Sequence, residues 1–166
     1  MNITIDSDLS SEQEHALLTS IQYFGSKLIP SSVRRDINLE IEVVRGAENL
    51  GLLSNEDMFD EHGEIDLLPD ISRNFHMMLR HDENVAEIIK VAAHEMVHLK
   101  QHALNELSYV ICPNPKFPIV PAWKGEPWFA KRGDRVEYDS PWEQEAYGME
   151  HGLYFKFQRY WNRTHV

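Results

Sequence analysis

The chain is poor in cysteine, in positive charge and in long apolar runs, and each shortage closes off a class of function. Cys112 is the only cysteine, so no disulfide can form within the chain, and the cysteine pairs of a zinc ribbon or finger are missing. Any metal bound here must be held by histidine and carboxylate. With 16 lysines and arginines against 27 aspartates and glutamates, the formal charge is −11. That balance repels phosphate backbones and anionic lipid, so neither a nucleic-acid partner nor a membrane is expected. No stretch approaches the roughly 20 apolar residues of a membrane-crossing helix. Residues 1–6 have neither the basic start nor the apolar core of a secretory leader. The expected compartment is the cytoplasm.

What is present is enough apolar material for one core. In 166 residues, 42% of them hydrophobic, we read one domain spanning 1–166, with no internal repeat and no linker composition. Ser10 or Ser11, with Gln13 or Glu14 three residues on, can cap a helix that carries Leu17, Ile21, Phe24 and Leu28 at helical spacing and ends before Pro30. Ile37, Leu39, Ile41 and Val43 alternate with polar residues, the period of a strand with one buried face, and Gly46 is its stop. Residues 46–64 read as acidic and irregular. Two short strands are expected next, at 65–68 and around Phe75, Met77 and Leu79, the second a candidate sheet edge. From 84 to 103 the period is helical, with Val85, Ile89, Ala92, Met96, Leu99 and Ala103 on one stripe. Pro113, Pro115, Pro118, Pro121 and Pro127 break up residues 105–139, which are expected to form an ordered loop excursion. Ser140-Pro141-Trp142-Glu143 reads as a helix start with Ser140 at the N-cap, and Trp142, Ala146, Met149, Leu153, Phe157 and Tyr160 continue as its apolar stripe.

The helix over 84–103 carries His94-Glu95-Met96-Val97-His98. His94 and His98 are one turn apart, so both imidazoles leave the same face and can share one ion at roughly 2.0–2.1 Å from each nitrogen. At about 100° per residue they lie opposite the apolar stripe, which lets the helix bury one side while the other lines a cleft. Glu95 is poorly placed to join them on the ion, yet its carboxylate can reach a water bound there. Zinc brings the pKa of such a water from about 15.7 to around 7, so Glu95 is the candidate general base and can afterwards protonate a leaving amine. Chance alone yields H-E-x-x-H in on the order of a few per cent of chains with nine histidines. A third ligand elsewhere in the chain is what separates a site from an accident. His102 extends the series by a turn, but three turns of a straight helix spread their side chains over about 12 Å. It reads as a neighbour of the site or a surface group.

The motif resembles that of the zincin metallopeptidases, and Glu143-Gln144-Glu145-Ala146 is similar to the second signature of their gluzincin branch, in which a glutamate on a later helix completes the site. That signature has Glu, two residues, a small residue, then Asp or Asn. Laid on this chain it selects Glu143, with Ala146 as the small residue and Tyr147 at the acidic position. Glu145 is the rival third ligand; on a helical wheel Glu143 shares its flank with Tyr147, Glu150 and Tyr154, and Glu145 falls on the other flank. Where the family's Asp or Asn supports a ligand from behind, Tyr147 offers only its hydroxyl. The stretch Pro-Trp-Glu-x-Glu-Ala-Tyr also resembles small phage and bacterial zincin-like proteins.

The resemblance implies an α+β, zincin-like fold: a small mixed sheet, an active-site helix and a C-terminal ligand helix facing it. It implies one zinc ion per chain on His94, His98 and Glu143, with Glu95 as the catalytic residue in hydrolysis of a peptide or protein substrate. Tyr138, Tyr147 and His151 are candidate donors to the oxyanion, and residues 73–80 a candidate edge for strand addition by a substrate. Glu143 has a plainer alternative role, closing the capping box with Ser140. Two further readings stay open. One is a non-catalytic zinc-binding or interaction protein that retains the fold. The other is a SprT-like DNA-associated protease, against which the acidic charge and the single cysteine count.

Overall fold

Apolar and polar residues alternate along the strands of the larger sheet in the computed structural model, which describes residues 1–46, 51–55, 73–82, 84–112 and 119–165. Its strands are β1 (Asn2–Asp6), β2 (Asn38–Val44), β3 (Gly51–Asn55) and β4 (Asn74–Arg80), in the order β1-β2-β4-β3. β1, β2 and β4 run parallel, and β3 is antiparallel to β4. Registered pairs Leu39↔Phe75, Ile41↔Met77 and Val43↔Leu79 bury one face. The period of two sends Glu40 and Glu42 to the other, exposed face.

α1 (Ser11–Leu28) and α3 (Val85–Ala103) cover the buried face and α5 (Pro141–Thr164) packs chiefly on α3, with the one-turn helices α2 (Ser31–Arg34) and α4 (Val136–Asp139) between elements. α1 starts as the sequence suggests, with a reciprocal capping box between Ser10 and Gln13, and its Leu17, Ile21 and Phe24 are fully buried. α3 begins where Asn84 accepts a hydrogen bond from the Ala86 N–H at 3.1 Å, which satisfies one orphan donor of the first turn. Ile88, Ala92, Met96 and Leu99 then bury against the sheet and α1 in one shared core. That one-sided burial orients α3: its opposite face, carrying His94 and His98, meets α5. No helix among the described residues is long and apolar enough to cross a membrane.

Several expectations are corrected. Residues 2–6 form β1, a strand too short to announce itself; Ile3 and Ile5 are only half-buried, and parallel pairing with β2 defines it. The stretch read as irregular, 46–64, contains β3, whose Gly, Ser and Asn have weak strand preference and whose ladder with β4 overrides it. β4 is not an edge: it lies between β2 and β3 with ladders on both sides, so residues 73–80 have no free backbone to offer a peptide. The strand expected at 65–68 falls outside the described residues. The excursion after α3 contains a second, antiparallel sheet of β5 (Leu107–Ile111), β6 (Ile119–Trp123) and β7 (Glu126–Pro127). Pro121 stands inside β6, where its carbonyl accepts from the Trp128 N–H at 2.8 Å. Lys124 and Gly125, at φ 51° and 88°, turn β6 into β7.

Candidate metal centre

α3 and α5 cross so that a histidine pair from one faces a glutamate from the other. His94 Nε2 and His98 Nε2 are 3.1 Å apart. Glu143 places Oε2 at 3.2 Å from the first nitrogen and Oε1 at 3.4 Å from the second. Among the described residues this is the one group of three such side chains whose ligand atoms converge, all within 4.8 Å of one another. Glu143 is free to do this because the capping box with Ser140 does not form: Ser140 sits at the N-cap but makes no side-chain bond to the first turn. The two imidazoles outcompete that local role. Glu145, the rival, is engaged elsewhere, 3.0 Å from Lys100 Nζ and accepting from Gln101.

The hydrogen bonds behind the rings fix which nitrogen of each is bare. Gln101, fully buried, donates its amide N–H groups to the Trp142 carbonyl and to Glu145, both at 3.0 Å. A carbonyl and a carboxylate can only accept, so the amide oxygen must point the other way, to His98 Nδ1 at 2.8 Å. His98 Nδ1 therefore carries the proton. His94 Nδ1 faces Glu150 Oε2 at 3.0 Å and is protonated for the same reason. In the neutral rings both Nε2 atoms are then lone pairs, aimed at each other and at a carboxylate, with no hydrogen among the three. Only a proton or a cation between them satisfies that arrangement.

The ionisation pattern follows from the same contacts. Burial alone would raise Glu143, but His94 and His98, which donate to it and attract it once a proton enters between them, outweigh burial and hold the carboxyl down to about 2. Burial likewise pulls His94 down, and the bond to Glu143 with the charges of Glu95 and Glu143 more than reverses this. Glu95 is 6% exposed; burial pushes its carboxyl upward, against the pull of His98 and His94. It is a carboxylate readier than usual to take a proton. His102 is driven down to about 4 by burial and by the neighbouring His98, so it stays neutral at pH 7 and takes no part in the convergence. Tyr147 is raised by burial and by the surrounding carboxylates, Glu143 first, and so keeps its phenolic hydrogen.

These groups line a cleft of about 830 Å³ whose floor is His94, Glu95 and His98 and whose walls include Gly51, Glu143 and Tyr147. Tyr147 lays its ring 4.6 Å from that of His94 and stacks on Tyr138 at 5.8 Å and 13°. It does not supply the support that an acidic residue would give at its position; Glu150, three residues on, does. His151 is 72% exposed and pairs with the other oxygen of Glu150 at 3.0 Å, on the cleft rim. Lys90, also on the rim, is held by Glu87 at 2.7 Å. Sequence reasoning brought His94, Glu95, His98 and Glu143 together but missed Gln101 and Glu150 as supports. Their only sequence signal is spacing: Gln101 is i+3 from His98, and Glu150 is i+7 from Glu143 on the same flank. Compared with known proteins, the chain matches no family model, and no curated protein or solved structure is significantly similar to it.

Proposed function

We propose that the chain is a zinc-dependent peptidase of zincin type, with His94, His98 and Glu143 as metal ligands and Glu95 as general base. The observation that carries this is the pair of bare Nε2 atoms 3.1 Å apart against Glu143, each ring held from behind by its own acceptor. The donor set fits zinc: two imidazoles and one carboxylate leave a fourth position open, the composition of catalytic rather than closed structural sites. When bound, zinc supplies Lewis acidity, polarising a scissile carbonyl and bringing the pKa of a coordinated water to about 7.

The remaining work belongs to the chain's own groups. Glu95, buried on the cleft floor with its pKa raised, accepts a proton from the attacking water and delivers it to the departing amine. The Tyr147 phenol, protonated and beside His94, is a donor for the developing oxyanion. Glu150 and Gln101 hold the two imidazoles in the tautomer that leaves Nε2 free. Leu52 and Leu53 of β3, beside Gly51, line the same cleft and would contact a substrate bound there.

The test is cleavage of an unbiased peptide library by the purified chain. Cleavage is expected to stop with a chelator, return with zinc, and fall at least about 100-fold in Glu95→Gln while zinc content is unchanged. Undiminished cleavage in Glu95→Gln removes its role. Zinc bound through His94 and His98 without cleavage of any peptide would instead support the non-catalytic zinc-binding reading.

A further inference from the structure

Gly51 and Leu53 lie on the face of β3 turned to α3, since their registered partners Leu79 and Met77 are buried on the helix-covered side of the sheet; at Gly51 the helix comes too close for a side chain. A Cβ built there would lie 2.5 Å from Val91 Cγ1, 2.7 Å from Glu95 Oε1 and 3.1 Å from Glu95 Cγ. No side chain fits at those separations. Two of the three atoms belong to Glu95, and the nearer of those two is a carboxylate oxygen. Val91 is one turn before Glu95 on the same face of α3, so the strand and this stripe of the helix touch with nothing between them.

We propose that Gly51 is a positioning residue for Glu95: the bare backbone of β3 forms the wall against which the Glu95 carboxylate is set. Any side chain at 51 must either displace both the Val91 methyl and the Glu95 carboxylate or lift β3 off α3. The proposal rests on the peptidase reading for its kinetic consequence, but the contact itself does not depend on that reading. The reason for glycine here is steric and local, which distinguishes it from Gly125 and Gly133, where φ of 88° and 101° calls for glycine with open space around the missing Cβ.

The experiment is a double-substitution cycle in the zinc-loaded full chain, comparing Gly51→Ala, Glu95→Asp and the two combined. Asp is one methylene shorter and withdraws the carboxylate oxygen that the new Cβ would strike, while the Val91 contact stays. Gly51→Ala alone is expected to lower the thermal midpoint by roughly 5 °C, with zinc stoichiometry unchanged. It is expected to lower kcat about 10- to 100-fold with little change in KM. In the Glu95→Asp background the same substitution is expected to cost measurably less in midpoint, the Val91 contact remaining, and to leave kcat within about 2-fold of the Glu95→Asp value. Equal midpoint losses in both backgrounds would overturn the contact with Glu95 and leave Val91 as the whole cause. An unchanged kcat for Gly51→Ala in an active enzyme would overturn the positioning role. If the wild type cleaves nothing, the peptidase reading fails by itself, and the midpoint cycle still decides whether Gly51 and Glu95 are coupled.

Discussion

At the scale of single residues, the site is defined as much by the atoms behind the imidazoles as by those in front. Gln101 is the clearest case: one fully buried amide satisfies His98, Glu145 and the Trp142 carbonyl at once. Gln101→Leu removes all three bonds, and leaves the His98 Nδ1 proton without its acceptor while Glu145 keeps Lys100. It is expected to destabilise the chain by roughly 1–3 kcal/mol in urea unfolding and to weaken zinc binding about 10- to 100-fold in a competition titration. Unchanged affinity would mean that His98 keeps its tautomer unaided. The pH dependence has two opposed parts. His94 is raised in the metal-free protein, so its contribution to stability is full below its unfolded value near 6.5 and is lost as pH rises through the folded one. Glu143, held to about 2, contributes above its unfolded value near 4.5 and ceases to as pH falls toward 2. The metal-free chain is thus expected to have both contributions in full between pH 4.5 and 6.5 and to lose one or the other gradually on either side. Because zinc competes with a proton for the same lone pairs, the rise in melting temperature on adding zinc is expected to grow from about pH 6 to pH 8. A zinc increment that shrinks over that range would contradict the assignment.

At the scale of elements, the crossing of α3 and α5 sets the ligand geometry. Ala146 is fully buried on α5, one turn from Glu143, and pairs such as Lys100 with Glu145 pin the register of the two helices. Ala146→Leu is expected to cost roughly 1–3 kcal/mol by overpacking and to lower zinc affinity as well, since it moves the turn that carries Glu143. Stability lost with affinity intact would show that the glutamate adjusts independently of its helix. The elements most legible in the sequence were those whose period is local and long: α1 with its capping box, β2 with its alternation, and α3. β1 and β3 were missed because five residues of weak pattern become a strand only through partners 36 and 28 positions away, as in Asn2↔Asn38 and Gly51↔Leu79. The edge was misplaced for the same reason, since strand order is a tertiary property. Within the site, H-E-x-x-H was legible because i and i+4 share a face. Gln101 and Glu150 were not, because their bonds to the rings depend on how two helices meet. Ser140 and Glu143 fitted a capping box by local chemistry, and the long-range imidazoles won the carboxylate.

At the scale of the whole molecule, one face of a mixed sheet is covered by α1 and α3, α5 packs on α3, and the cleft is lined by α3, α5 and β3. Stability and site are therefore linked through α3. Zinc at about 100 times its dissociation constant stabilises the chain by roughly 2.7 kcal/mol, or about 5–10 °C in melting temperature for a chain of this length. Removing the metal with a chelator is expected to reverse that shift in the wild type and to do nothing to His94→Ala. The net charge of −11 adds a general attraction for cations, so weak binding alone decides nothing. The coordination shell does. X-ray absorption at the zinc edge of the loaded protein measures it directly. The expected shell is two imidazole nitrogens at about 2.0–2.1 Å with light oxygen ligands completing four, one imidazole lost in His98→Ala. A shell without imidazole, or one that is the same in His98→Ala as in the wild type, would contradict the account.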